Sequence, residues 1–308
     1  MKKSFFRFAS VAVLFILLAT PLKASEGARN GLVLWATVVL PTLLPFMICS
    51  NVIVALDAIH LLICPFRPFL KRVFHLSDAG CYILVSGLLC GYPMGARTCS
   101  DFLDEKRITA KEGRYLLSIC NHPSPMFLLG YTASLLPAGV PVWRLLASVY
   151  LPVLFIGRAA RKIYGISCEC QSLPAEKETR LSFDESLMDS FEVMVKIGGY
   201  IMLFSILVLY ITGLPIKNPE GKAILLGFVE ITTGLKALSD AVPSSSCAMW
   251  MAAATSFGGL SGIFQTKSVI KNAGLSIRHY FAWKAVHGLL SAAIFILLAW
   301  GLPLPPAG

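Results

Sequence analysis

The sequence predicts an all-α polytopic membrane protein, and three observations lead to this class. Of its 308 residues, 56% are hydrophobic and only 14% are charged. The mean hydropathy of +0.71 is far more apolar than a soluble domain of this size would show. Several runs also reach the length of about 20 apolar residues that a spanning helix needs.

Uncharged or nearly uncharged stretches mark the predicted segments in chain order. They cover 8–22, 31–56, 79–96, 115–136, 197–216, 241–266 and 285–306, with shorter candidates at 145–157 and 223–235. We therefore expect roughly seven to nine membrane-embedded segments, some of them re-entrant. The first follows a basic N-terminus, as in a signal peptide. It lacks a clear A-x-A cleavage site and a second apolar segment follows at once, which favours an uncleaved helix.

The net charge of +10 is spread over the loops between these segments. In a membrane protein, loop Lys and Arg residues that set the orientation explain such a charge better than a nucleic-acid interface does. We therefore expect membrane lipid as a partner and no nucleic acid. Nine cysteines without a CxxC pair indicate small buried residues, and we expect no metal and no cofactor. A homo-oligomer stays open.

A hydrophilic stretch at 167–192 divides the chain into two predicted units, 31–166 and 193–308, preceded by an N-terminal helix and short loop at 1–30. Superposing the halves places Gly91 over Gly258 and Gly95 over Gly262. Both copies then read as an apolar run followed by Gly-x-x-x-Gly, with chance similarity as the alternative. Pro93 would interrupt a helix at the first copy, which favours a hairpin beside a cavity over a dimerisation face.

Duplicated halves with interrupted hydrophobic segments are typical of secondary transporters, whose site lies where the repeats meet. The orientation of the chain in the membrane stays open if the halves are duplicated. An inverted second half would place Lys267, Lys271, Arg278 and Lys284 outside, against the positive-inside rule.

Polar residues lie at the centre of the apolar run at 115–136. Pro123 and Pro125 remove two backbone donors, so the carbonyls of the preceding turn become available, together with the side chains of Asn121 and Ser124. Such groups are costly in hydrocarbon, which predicts a broken helix that borders a cavity. A kink satisfied by neighbouring helices is the alternative. His122 is expected to be a hydrogen-bonded bystander more than a proton carrier.

Glu230 is the carboxylate inside the apolar run at 223–235. A charge at membrane depth is expensive enough to suggest a function, here the binding of a coupling cation or proton, or an ion pair with Arg97 or Lys267. If the segment ends near the surface, Glu230 is only an interfacial charge. No motif typical of an enzyme is present, and we expect no enzymatic activity.

The motifs "GYPMGA" (91–96), "CNHPSP" (120–125) and "GFVEITTGLKALS" (227–239) occur in the order typical of one family. With them the chain resembles the sporulation integral membrane protein family YlbJ over most of its length, although His122 stands where that family usually has a second Asn. The resemblance implies two nucleoside-recognition Gate domains. These are similar to the core of concentrative nucleoside transporters, which has inverted repeats and re-entrant hairpins.

The resemblance also implies transport of dipicolinic acid across the outer forespore membrane during sporulation. Dipicolinate is a planar dianion, so its site needs cations or helix N-termini and an aromatic or amide surface. The candidate substrate-binding residues are Tyr92, Arg97, Asn121, Ser124, Gln265 and Lys267. Glu230 is the candidate for ion or proton coupling. The residues expected to shape the hairpins and breaks are Gly91, Pro93, Gly95, Pro123, Pro125, Gly258 and Gly262.

Two other functions stay open at this point. One is a transporter of a nucleoside or another small neutral solute, which the Gate-domain similarity alone would allow. The other is a membrane scaffold for spore assembly that transports nothing. All three hypotheses share the location, an integral protein of the bacterial cell membrane.

Overall fold

The computed structural model describes residues 2–56, 58–166, 183–270 and 274–301. These ranges contain helices and their connections and no strand, as the composition predicts. The helices are, in chain order, α1 (Lys2–Ala19), α2 (Pro21–Leu34), α3 (Leu40–Ala55), α4 (Ile59–Ile63), α5 (Arg67–Phe74), α6 (Asp78–Cys90), α7 (Met94–Asp104), α8 (Ala110–Ile119), α9 (Pro125–Phe127), α10 (Val142–Tyr164), α11 (Phe183–Thr212), α12 (Pro219–Val229), α13 (Ile231–Ala241), α14 (Ser244–Phe257), α15 (Gly259–Val269) and α16 (Ile277–Gly301).

Five helical segments of the described chain are long and apolar enough to cross a membrane. They are Pro21–Ile53, Val142–Tyr164, Phe183–Thr212, Ser246–Val269 and Ile277–Trp300. A sixth results if α5 and α6, which meet at 102°, are counted as one broken span. The other predicted segments fall on shorter or interrupted helices. The predicted seven to nine membrane-embedded segments therefore include helices that are too short to cross a membrane by themselves.

Two predicted loops are helical. The loop expected before residue 31 is helix from Pro21, because proline is favoured in a first turn and a π-helical segment, Trp35–Val39, carries α2 into α3. The hydrophilic stretch at 167–192 ends in the first turns of α11, where Asp184 and Glu185 suit the positive end of the helix dipole. Residues 167–182 lie outside the described ranges.

The two halves share an order of elements, apart from α4 and α5, which have no counterpart in the described part of the second half. A long helix (α2–α3, then α11) precedes a pair of short helices (α6–α7, then α12–α13). An interrupted helix follows (α8–α9, then α14–α15), and a long helix closes each half (α10, then α16). Corresponding long helices pack against each other across the halves, α2 on α11 and α10 on α16. The order supports a duplicated architecture.

The first pair, α6 and α7, forms a tight hairpin. Its tip is Gly91, at a φ of 80°, followed by Tyr92 and Pro93. The arms approach closely at Gly87 and Gly95, and the Cys120 carbonyl lies against both, since a Cβ on either glycine would come within 1.9 or 2.0 Å of that oxygen. Only glycine leaves room for this contact.

The second pair, α12 and α13, is also a hairpin, and its whole connection is one residue. Glu230 is extended, with φ −140° and ψ 117°, between the last residue of α12 and the first of α13. A Cβ on Gly234 would lie 2.3 Å from the Cα of Gly227, so the chain folds directly back on itself. The carboxylate that the sequence marks as anomalous therefore stands at a hairpin tip.

The hairpin predicted at the second Gly-x-x-x-Gly is not observed. Gly258 and Gly259 have φ values of 84° and 68° and interrupt the helix, but α14 and α15 continue as one span and do not fold back. The second Gly-x-x-x-Gly is therefore no hairpin. By order of elements, the tip at Gly91 corresponds to Glu230, and the break at Cys120–Ser124 corresponds to Gly258–Gly259.

The two halves meet in a packed core. Ala96 and Leu117 of the first half lie in one buried cluster with Phe257, Ile263 and Tyr280 of the second. Apolar contact between the halves thus packs α7 and α8 against α14, α15 and α16.

Candidate functional site

A cavity of about 50 Å³ lies where the non-helical parts of both halves converge. The first hairpin tip contributes Tyr92, the break in the first half contributes Ser124, and the second tip contributes Glu230. Gln265 comes from α15, just after the second break. Four residues predicted from scattered motifs therefore line one cavity. Its apolar walls are Val39, Leu43, Phe127, Ile197, Ile201 and Ile231.

The break at Cys120–Ser124 has the local causes that the sequence indicates. α8 ends at Ile119, and the chain becomes helical again only at Pro125, where the Ser124 hydroxyl accepts the backbone N–H of Phe127 at 3.2 Å. The Pro123 carbonyl accepts a hydrogen bond from Tyr150 at 2.9 Å. Neighbouring helices thus satisfy part of the freed backbone, while Pro123 and Ser124 also face the cavity.

Glu230 is 1% exposed, which excludes the interpretation as an interfacial charge. Its carboxylate accepts the backbone N–H of Thr232 at 3.2 Å and of Thr233 at 2.8 Å, and the Thr232 hydroxyl at 3.1 Å. It thereby caps α13 and lies at the positive end of that helix. In the described part of the chain it has no ion pair, so the alternative of pairing with Arg97 or Lys267 is not observed.

Asn121 lies beside the cavity and its side chain is occupied by the protein. The amide donates to Thr266 Oγ1 at 3.0 Å and to Tyr280 Oη at 2.6 Å, and its oxygen faces the Ala96 N–H at 3.4 Å. Both amide N–H groups are used, so none is free for a solute in this conformation. The side chain joins the break in the first half to α15 and α16 of the second.

Lys284 is the functional candidate that the sequence interpretation missed, since it was taken for a loop cation. Its side chain is buried, its ammonium donates to the Asn121 carbonyl at 3.1 Å, and it lies 5.6 Å from the centre of the Tyr92 ring. A signal was present in the sequence. Lys284 and His287 are one turn apart in the apolar part of α16 that follows Arg278 and His279, the pattern of a polar stripe that faces the protein interior.

Two predicted cations lie outside the cavity. Arg97 forms ion pairs with Asp189 at 3.2 Å and Asp101 at 3.5 Å. Lys267 is exposed, with its ammonium 5.8 Å from the Phe264 ring centre. The structure thus brings together Tyr92, Ser124, Gln265 and Glu230 but not these two side chains. Their roles in binding stay predictions.

A larger open pocket of about 610 Å³ adjoins the cavity on another face of α11 and α15. Lys196 and Tyr200 line it, whereas Ile197 and Ile201 of the same helix line the cavity. Asp101, the partner of Arg97, also borders it. The large pocket therefore lies one helix surface away from the cavity.

The glycines predicted to be structural permit close approaches at the site. A Cβ on Gly91 would come within 2.9 Å of the Ser124 backbone nitrogen, so the first hairpin tip rests on the break of its own half. The Tyr92 ring lies on Gly258 and Gly262, where added Cβ atoms would be 3.6 and 3.8 Å from ring atoms. The second Gly-x-x-x-Gly thus provides a flat surface for a tyrosine of the other half.

Comparison with known proteins adds a biological context to this geometry. The sporulation integral membrane protein YlbJ of Bacillus subtilis (strain 168) is 25% identical over 338 aligned residues, which cover 96% of this chain and 81% of that protein. The chain is homologous to a sporulation membrane protein. No family model matches the chain, and no solved structure matches it.

The chain is thus similar to YlbJ over almost its whole length, and its apolar helices indicate an integral membrane protein. The resemblance inferred from the motifs is confirmed at this level. The Gate domains, the likeness to nucleoside transporters and the cargo stay predictions.

Proposed function

We propose that the protein is a transporter that moves a small organic acid, dipicolinic acid, across the outer forespore membrane of a sporulating cell. The observation that carries the proposal is the cavity formed by non-helical tips and breaks from both halves. Secondary transporters place their sites at such discontinuities, near the middle of the membrane. Homology to a sporulation membrane protein supports the cellular setting.

The interrupted helices favour a transporter over a non-transporting scaffold, because unpaired backbone groups are costly in a membrane. Non-helical backbone is tolerated at membrane depth where protein buries it or where it lines a cavity. Gly91, Pro123, Ser124 and Glu230 are all at such positions, and all line the same cavity. A scaffold needs long helices that pack, and it has no need for three interruptions at one place.

In this conformation, which we take as the closed state of the proposed cycle, the cavity is too small for the cargo. A volume of about 50 Å³ holds a few water molecules at most, since one water needs about 10–15 Å³ by the same measure. A ring with two carboxyl groups enters only when a hairpin tip moves away. The transport cycle therefore includes a displacement of the tip at Gly91–Pro93 or of the tip at Glu230.

Glu230 gives the proposed cycle a coupling site. Its carboxylate repels an anionic cargo in the same cavity unless a proton or a cation neutralises it. Co-transport of that proton or cation removes the repulsion, and it links the cargo gradient to an ion gradient. Release of the ion then expels the cargo.

A neutral solute such as a nucleoside is the second candidate, and one observation favours it. No basic side chain is among the described residues that line the cavity, while Glu230, Gln265, Ser124 and Thr232 offer hydrogen-bond partners to hydroxyl and amide groups. Such a lining suits an uncharged ring compound as well as a protonated acid.

Transport by the purified full-length protein in liposomes separates these functions. We expect saturable uptake of radiolabelled dipicolinate that unlabelled dipicolinate inhibits and uridine does not. Uptake of uridine alone would establish the neutral-solute transporter, and uptake of neither compound would favour the scaffold. Protein-free liposomes provide the baseline.

Glu230→Gln tests the coupling. The glutamine keeps an oxygen that can cap α13, so the fold should persist, but it carries no charge to neutralise. We expect exchange of dipicolinate at equal concentrations to continue, while accumulation driven by a proton or cation gradient falls by about tenfold or more. Glu192→Gln is the matched control, because Glu192 is an exposed carboxylate that pairs with Lys196 on α11. Unchanged accumulation in Glu230→Gln would exclude Glu230 as the coupling group.

A further inference from the structure

Two buried basic residues lie beside the cavity lining. The Lys284 ammonium is 5.6 Å from the Tyr92 ring centre, and His122 follows Asn121, whose carbonyl accepts a hydrogen bond from Lys284. Lys284 and His122 are each 3% exposed. His122 Nδ1 and Tyr92 Oη are buried and have no hydrogen-bond partner in the part of the chain that the structure describes. The Lys284 ammonium has one hydrogen-bond partner, the Asn121 carbonyl, although it carries three donors.

Lys284 is not paired with an acid in the described part of the chain. Within these ranges it forms no ion pair with a carboxylate, and its ammonium contacts the Asn121 carbonyl at 3.1 Å and lies 5.6 Å from the centre of the Tyr92 ring. A buried cation without an anion is costly, and proteins retain one where a function needs it. The unused donors of Lys284 and of the Tyr92 hydroxyl, together with the unpartnered Nδ1 of His122, suit an anion as the missing component.

The position of Tyr92 connects these basic residues to the cavity. Tyr92 is part of the cavity wall, and the Lys284 ammonium, which does not line the cavity, lies 5.6 Å from the centre of its ring. A Cβ on Gly258 would be 3.6 Å from the ring and 3.7 Å from Lys284 Cε, so only the bare glycine backbone lies beside both groups. A shift of the first hairpin tip along the surface formed by Gly258 and Gly262 would join these basic residues to the cavity.

We propose that Lys284, with His122 and the Tyr92 hydroxyl, binds a carboxylate of the transported solute after the Tyr92 tip moves. The inference rests on the proposed function and specifies its anion selectivity. It also accounts for a cavity lining without basic residues, because Lys284 reaches the cavity only once the tip has moved. The solute class is an aromatic or planar acid, whose carboxylate reaches Lys284 while its ring packs beside Tyr92.

The test compares an acid with its neutral analogue. Wild-type protein and Lys284→Met are reconstituted, and uptake competition is measured with dipicolinate and with pyridine-2,6-dicarboxamide. We expect the wild type to prefer the diacid, and Lys284→Met to lose about tenfold or more of that preference, since a charge-assisted hydrogen bond is lost. Lys236→Met removes an exposed lysine of the same half and should leave the preference unchanged.

Stability distinguishes binding from a structural role. Lys284→Met removes an unpaired buried charge, so its unfolding midpoint in detergent should equal or exceed that of the wild type. Tyr92→Phe removes a hydroxyl that has no partner in the closed state, so it should keep the midpoint and lose part of the preference for the diacid.

Three outcomes would overturn the inference. Lys284→Met with the wild-type preference would show that another group binds the carboxylate, while the transport function itself stands. A lower midpoint in Lys284→Met would make the lysine structural, and an unchanged preference in Tyr92→Phe would remove the hydroxyl from the site. Failure of the wild type to take up dipicolinate would instead refute the proposed function.

Discussion

Asn121→Ala is the substitution that best separates a structural polar group from a solute-binding one. The Asn121 side chain is 4% exposed and donates to Thr266 and Tyr280, both of which lie in the other half of the chain. Alanine removes both hydrogen bonds and leaves the Ala96 N–H without its side-chain acceptor. The substitution therefore weakens the contact between the halves before it affects any solute.

The magnitude follows from these contacts. Two buried hydrogen bonds contribute about 1 kcal/mol each, and the abandoned partners add a desolvation cost, which together lowers the free energy of unfolding by about 2–4 kcal/mol. The apparent unfolding midpoint should fall by roughly 5–10 °C. A double-mutant cycle with Tyr280→Phe should give a coupling energy of about 1 kcal/mol for the bond at 2.6 Å.

The assay is thermal unfolding of the purified protein in detergent, followed by tryptophan fluorescence, with dipicolinate uptake measured on the same samples. Ser118→Ala is the matched control, because within the described residues its hydroxyl bonds to the Tyr115 carbonyl of the same helix and to no other group. An Asn121→Ala protein with an unchanged midpoint and lost uptake would refute the structural role and establish Asn121 as a solute contact.

Two further predictions concern the first hairpin. Gly95→Ala should lower the free energy of unfolding by about 1–3 kcal/mol or abolish folding, because its Cβ would come within 2.0 Å of the Cys120 carbonyl oxygen. Gly199→Ala, which meets nothing within 4 Å, should be neutral or stabilising, and equal effects would refute the close packing. Arg97→Met should cost at most about 1 kcal/mol, because Asp189 is half exposed. Its KM for dipicolinate should stay within about twofold of wild type, and a larger rise would establish the sequence-predicted contact.

The breaks in helices were predictable where their cause is local. Pro123 and Pro125 lack backbone donors in any fold, and the structure has its break at Cys120–Ser124. A glutamate in an apolar run is costly wherever it lies, and Glu230 is at a hairpin tip that lines the cavity. The positions of these interruptions can be predicted from single residues, because the free-energy cost arises from one backbone segment or from one charge.

The cations were not predictable in the same way. Arg97 and Lys267 follow the glycine pairs and looked like site residues, yet one forms ion pairs with acids and the other is exposed. Lys284 looked like a loop residue and is buried against Asn121. The role of a charged side chain depends on the groups around it. Those groups come from segments that are distant in the chain, so the sequence near the charge does not reveal them.

The sequence by itself determined the class of this protein, the interruption at Pro123 and Pro125 and the anomaly of Glu230. Each depends on composition, on chain stereochemistry or on the cost of a charge in hydrocarbon. Only the tertiary structure decided the rest. It turned Glu230 into the tip of a second hairpin, made Gly258 and Gly262 the surface beneath Tyr92, and buried Lys284 beside that ring. These relations arise from packing between distant segments, and helix periodicity carries no information about which segments meet.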